Sequence, residues 1–123
     1  MHALRVALLA ALVVAAPAAA LAATPDWKIS AEPVKKIMAN HPADLRITVS
    51  DAAGKPVTGA AVELVTTMID MDHGEHKSPA KVTAPGVYEG KVNFFMVGSW
   101  NLDVRVSKGA QAKAQKVRFD IKE

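Results

Sequence analysis

Trp100, Leu102, Val104 and Val106 alternate with Asn101, Asp103, Arg105 and Ser107. A period of two cannot serve a helix, whose faces repeat about every 3.6 residues. Leu45, Ile47 and Val49 repeat the pattern, as do Val62 and Leu64 with Thr66 and Met68. Tyr88, Val92 and Phe94 share a further register, and so do Val117, Phe119 and Ile121. Each stretch offers one face to a core and one to water. Gly54-Lys55-Pro56, Pro85-Gly86 and Lys108-Gly109 punctuate the stretches with turn chemistry. The pattern predicts seven strands, near residues 26–30, 44–50, 60–67, 80–84, 87–95, 99–107 and 114–122. Short antiparallel strands at this spacing predict an all-β fold, an immunoglobulin-like antiparallel β-sandwich. Residues 70–81 form the longest polar stretch and are expected to be a mobile loop.

The N-terminal block follows a different rule. Met1 to Ala23 is almost wholly Ala, Leu and Val, with Arg5 as its only charged side chain. Val6 to Ala16 runs apolar without interruption, Pro17 breaks the run, and Ala20-Leu21-Ala22 matches a small-x-small cleavage site. The apolar core of the run is short of the roughly 20 residues a membrane-spanning helix requires. The reading is a signal peptide over residues 1–22, with a retained N-terminal anchor as the alternative, and a single β-sandwich domain over residues 23–123, without a membrane span after cleavage. The block also inflates the apolar content of 50% and the mean hydropathy of +0.14, so neither describes the folded domain. A chain of 123 residues excludes a TIM barrel and a full dinucleotide-binding fold. Without Arg5 of the N-terminal block, 14 basic side chains stand against 12 acidic ones, a balance of +2 that is too even to indicate a nucleic-acid partner. The expected location is periplasmic or secreted, yet there is no cysteine, so disulfides and thiolate metal sites are both excluded.

Catalytic signatures fail one by one. No Gly-x-Ser-x-Gly and no phosphate-binding glycine loop is present. His73-Gly74-Glu75-His76 is not His-Glu-x-x-His, and the zinc deaminase pattern needs cysteines. Asp70-x-Asp72-x-Gly74 begins like a calcium loop, but its glycine falls one position early and Lys81 stands where glutamate is needed. No paired acid and base with an orienting group is visible, so the chain is not expected to be an enzyme.

What remains is the segment Met68 to His76. It carries the thioethers of Met68 and Met71 and the imidazoles of His73 and His76, with Asp70, Asp72 and Glu75 among them. Thioethers suit copper(I), imidazole suits copper in either oxidation state, and zinc prefers other donors. Methionine is also an ordinary gap-filler of cores, and Met68 falls on the buried register of its strand. Topology sharpens the reading. In an up-and-down arrangement the connections after the first, third and fifth strands share one end. Those connections hold Met38, His41, Met68, Met71, His73, His76 and Met96, whereas the opposite end holds no Met or His. Met96 is expected beside the Met68–His76 segment, because the third and sixth strands should be antiparallel neighbours. Its register with Tyr88, Val92 and Phe94 predicts that it leans over the core mouth. Trp100 and Tyr88 are expected in the core.

With these residues in view, the chain resembles the YtkA-like domain family, a relative of the FixH group of exported proteins. The resemblance is carried in order by Gly54-Lys55-Pro56-Val57, Gly59-Ala60, the Met68–His76 segment, Gly86-Val87-Tyr88 and Phe95-Met96-Val97-Gly98-Ser99-Trp100-Asn101-Leu102. It spans residues 44–106. It implies a β-sandwich and a role in copper handling, and FixH members are linked to assembly of copper-containing terminal oxidases. CopC-like copper carriers are similar in outline. Some bind copper(II) through the N-terminal amine and a nearby His; the expected mature start, Ala23-Thr24-Pro25-Asp26, has no such His, so that site does not transfer.

The expected function is therefore an exported carrier or buffer of copper, taken as copper(I). Met68, Met71, His73, His76 and Met96 are its candidate donors, and an envelope protein that gives or accepts copper is its candidate partner. The rival reading is a metal-free interaction module of an envelope complex, in which the methionines supply adaptable apolar contact.

Overall fold

The computed structural model describes residues 24–122, and the segment read as a signal peptide lies outside them. The described chain is all-β. Its strands are β1 (Lys28–Pro33), β2 (Pro42–Ser50), β3 (Ala61–Met68), β4 (His76–Ala84), β5 (Val87–Asn93), β6 (Gly98–Lys108) and β7 (Gln111–Ile121). All pairings are antiparallel, in the order β1-β2-β5-β4-β3-β6-β7. All seven expected strands are present, in an immunoglobulin-like sandwich that is nearly a barrel. No helix among the described residues is long and apolar enough to cross a membrane.

β4 holds the key to the shape. Its first half, His76 to Ala80, pairs with Thr66 to Val62 of β3, and its second half, Ala80 to Ala84, pairs with β5. A strand that changes sheets makes a sandwich corner. Pro79, which has no N–H to donate, sits at the change. On the facing strand stands Gly90, where a Cβ would come within 2.8 Å of the Pro79 carbonyl oxygen and 2.9 Å of Leu64 Cδ1. This corner corrects the expectation of a loop over 70–81. Residues 76–81 are strand, and the connection shrinks to 69–75. The segment concealed itself because a strand that divides its length between two sheets has no continuous buried face, so its sequence does not alternate.

Leu45, Ile47 and Val49 of β2, Leu64 of β3, Tyr88 of β5, and Trp100, Leu102 and Val104 of β6 meet in the core at no more than 1% exposure. Each such side chain contributes about 1.5–3 kcal/mol by leaving water. Tyr88 buries its ring and keeps its hydroxyl satisfied, donating to the Val57 carbonyl (2.8 Å) and accepting from the Ala60 amide (3.2 Å). Tyr88 and Trp100 are core residues, as the alternation predicts; Trp27, just before β1, is also buried although it lies on no alternating stretch. β1 and β7 are the two sheet edges, and Lys113 of β7 spans their seam by donating to the Trp27 carbonyl at 2.6 Å.

Strict alternation of strand direction fixes the two poles. The connections 34–41, 69–75 and 94–97 lie at one end, with the C-terminal end of β7. The turns at Gly54, Pro85-Gly86 and Gly109, and the chain at Trp27, lie at the other.

Candidate functional site

The Met and His residues of the described chain all lie at the first pole, as the strand parity required. Met68 ends β3 directly opposite Trp100 of β6. Its methyl group occupies the space that Gly98 leaves: a Cβ there would lie 2.5 Å from Met68 Cε. Gly98 has φ 146, a backbone conformation glycine adopts freely and other residues rarely do. The glycine of the Met-x-Gly-x-Trp stretch is thus a seat for a thioether carried by a different strand.

The β3–β4 connection is short and pinned from below. The Ile69 amide donates to the Ser99 carbonyl (2.8 Å), and the Ser99 amide donates to Asp70 Oδ2 (3.2 Å). Asp72 Oδ1 accepts from the Gly74 amide (3.0 Å), a local turn that reverses the chain. Glu75 lies 3.8 Å from Arg105 of β6. Two of the carboxylates that look like calcium ligands in the sequence are therefore struts of the loop.

His73 and His76 converge on Phe95. Each imidazole meets the Phe95 ring edge-on, with centroids 5.3 Å apart in both cases. Phe95 in turn packs edge-on against Trp100 at 5.0 Å. Edge-to-face contacts at such distances are the favoured geometry of aromatic pairs. Trp100 completes the arrangement by donating from Nε1 to the Met96 carbonyl at 3.0 Å. His73 and His76 thus meet one Phe95–Trp100 unit, to which Met68 is joined by strand pairing and Met96 by its backbone carbonyl.

Met71 stands apart at the tip of the connection and is 51% exposed. Met96 is corrected in its pose. β5 stops at Asn93, so the register of Tyr88 and Val92 ends with Phe94, and Met96 is 36% exposed rather than leaning over the core. Met38 is exposed on the β1–β2 connection, and His41 Nδ1 donates to the Ala39 carbonyl at 2.9 Å. Phe95 is the residue that sequence reasoning missed as an organiser. Its signal was available, an aromatic side chain beside a thioether in a short connection between strands. Among the described residues, no three His, Asp or Glu side chains come together as a possible metal site. At the pole's edge, the Ser99 hydroxyl bonds Asp120 (2.7 Å) and Arg118 lies 3.2 Å away, and these contacts hold the Asp120 carboxyl below its usual range.

A family model described as YtkA-like matches residues 22–105, which include every candidate donor. The chain belongs to the YtkA-like family. The match ends within β6, so β7 and the seam it forms lie outside the matched region. No curated protein matches the chain. Among solved structures, the crystal structure of the Lin-41 filamin domain is similar over 81% of this chain and 98% of that one. Its TM-score is 0.58 and its identity 15%, a likeness of fold alone.

Proposed function

We propose that this YtkA-like protein carries or buffers copper(I) in the cell envelope, with copper as cargo and without catalysing a reaction. The observation that supports this most is the convergence of two imidazoles on Phe95, at the pole where the backbones of Met68 and Met96 are both held to Trp100. Mixed thioether and imidazole donors form a soft set that fits copper(I) and fits calcium or magnesium poorly. His73, His76, Met68 and Met96 are the preferred donors, and Met71 can swing in from the loop tip. The partner of such a carrier is an envelope protein that gives or accepts copper(I). Residues 1–22 act as an export signal in this reading, and N-terminal sequencing of the exported protein should begin at Ala23.

Competition against a chromophoric copper(I) chelator tests the proposal. The double variant Met96→Leu, His73→Ala changes two exposed side chains. It should cost less than about 1.5 kcal/mol of stability. Loss of two of four donors should nevertheless weaken copper(I) binding by at least about tenfold, or 1.4 kcal/mol. Equal affinity of variant and wild type would overturn the assignment.

A further inference from the structure

We infer that the Met/His pole is a self-complementary docking surface for a second copy of this chain. The inference does not depend on copper. Of the seven large hydrophobic side chains exposed among the described residues, Val82 alone lies elsewhere. The other six are Val34 and Met38, Ile69 and Met71, and Met96 and Val97, a pair on each of the pole's three connections. Apolar side chains concentrated at one end of a small domain mark a surface that is covered in use.

The charges at the pole say what covers it. β5 lies between β2 and β4, and β6 lies between β3 and β7. The β5–β6 connection must therefore cross the mouth of the sandwich, with the β1–β2 connection on one side and the β3–β4 connection on the other. One hydrogen bond ties it to the β1–β2 connection, and another ties the β3–β4 connection to the start of β6, into which the β5–β6 connection runs. The Asn40 amide donates to the Phe94 carbonyl (2.7 Å), and the Ile69 amide donates to the Ser99 carbonyl (2.8 Å). Met96 and Val97 thus form an apolar ridge between two unlike flanks. One flank is basic. It carries Lys35 and Lys36, and Lys122 after β7 lines the same hollow as Lys36. The other flank is acidic, with Asp70 and Asp72, while Glu75 beside them is paired with Arg105 at 3.8 Å. The charges nearer the neck cancel within the chain, Lys91 against Asp44 at 3.9 Å and Arg118 against Asp120 at 3.2 Å.

A two-fold axis through the ridge brings the basic flank of each copy opposite the acidic flank of the other, and ridge against ridge. That is the self-matching an isologous interface requires. An anionic lipid surface would be repelled by the acidic flank, and a partner of a single charge sign would meet one unfavourable flank.

Sedimentation equilibrium on metal-free protein tests this, at low salt and up to about 1 mM, the weak end of specific association. The wild type should dimerise, and the dimer should weaken about tenfold or more when salt shortens the reach of the flanking charges. Lys35→Glu with Lys36→Glu makes both flanks acidic. Asp70→Asn with Asp72→Lys removes the acidic flank, and the Asn keeps an acceptor for the Ser99 amide. Each variant alone should be monomeric, and an equimolar mixture should recover a dimer. All four positions are exposed, so the lysine variant should keep the wild-type melting temperature, and the aspartate variant should lose only the small contribution of the Asp72–Gly74 turn contact. A monomeric wild type across the range would overturn the inference, as would variants that dimerise like the wild type. A mixture that stays monomeric would overturn the two-fold arrangement. The same protein sedimenting with anionic vesicles instead of dimerising would show that the surface serves a membrane.

Discussion

Gly98 shows how one residue ties the site to the fold. It lies on β6, yet the atom that needs its missing side chain is Met68 Cε on β3. Gly98→Ala would strain a φ of 146 and press a Cβ against that methyl group. Backbone strain of this kind costs about 1–3 kcal/mol. Urea unfolding should show that loss, and the Met68 methyl resonance should move while that of Met71, on the exposed tip, stays in place. The flexible thioether is the part that can give way, so the variant should fold. Ser99 supplies a second test at this scale. Its hydroxyl and Arg118 hold the exposed Asp120 carboxyl below its ordinary range. A carboxyl depressed in the folded state stabilises the fold above its unfolded pKa. That contribution is lost as the pH falls through the lower folded value, in the window below about pH 4. Ser99→Ala should raise the Asp120 pKa in an NMR titration and shrink the stability change across that window.

β4 is the element whose behaviour the rest of the sheet explains. Its two halves serve two sheets, and the turning point is Ala80 beside Pro79, across from Gly90. The corner tolerates no side chain on that partner strand, since the Pro79 carbonyl and Leu64 Cδ1 already fill the space. Gly90→Val should therefore destabilise the domain by about 1–3 kcal/mol through overpacking, read as a lower urea midpoint with an unchanged slope. Alternation could find β2, β5 and β6, because each keeps one buried face along its length. It could find the second half of β4, near 80–84, but it left 76–79 in a loop. Where a strand changes partners its inward face changes too, and local sequence then carries no period. The same limit applies at the end of β5. The hydrogen bond from the Asn40 amide to the Phe94 carbonyl lies beyond the last strand pairing of β5, so the period of two does not extend to Met96.

At the scale of the molecule, the sandwich is closed almost into a barrel where the edge strands β1 and β7 approach each other, and one long side chain bridges the seam. Lys113 reaches from one edge strand to the Trp27 carbonyl at the start of the other. Lys113→Ala should cost about 1 kcal/mol, the net value of such a bond. The β1 amides should then exchange hydrogen faster than those of the central strands, since β1 pairs on one side only. Seven strands, one core and a Met/His pole were determined by the residues themselves. A period of two and a set of turn residues are local properties, and strict up-and-down alternation carries them to the right end of the fold. The tertiary structure alone decided how the candidate donors are grouped. Phe95 gathers two imidazoles, Gly98 admits Met68, and Trp100 holds the Met96 backbone, each through a contact between different elements. Contacts between segments distant in sequence depend on packing distances of a few ångströms, and no spacing along the chain encodes those.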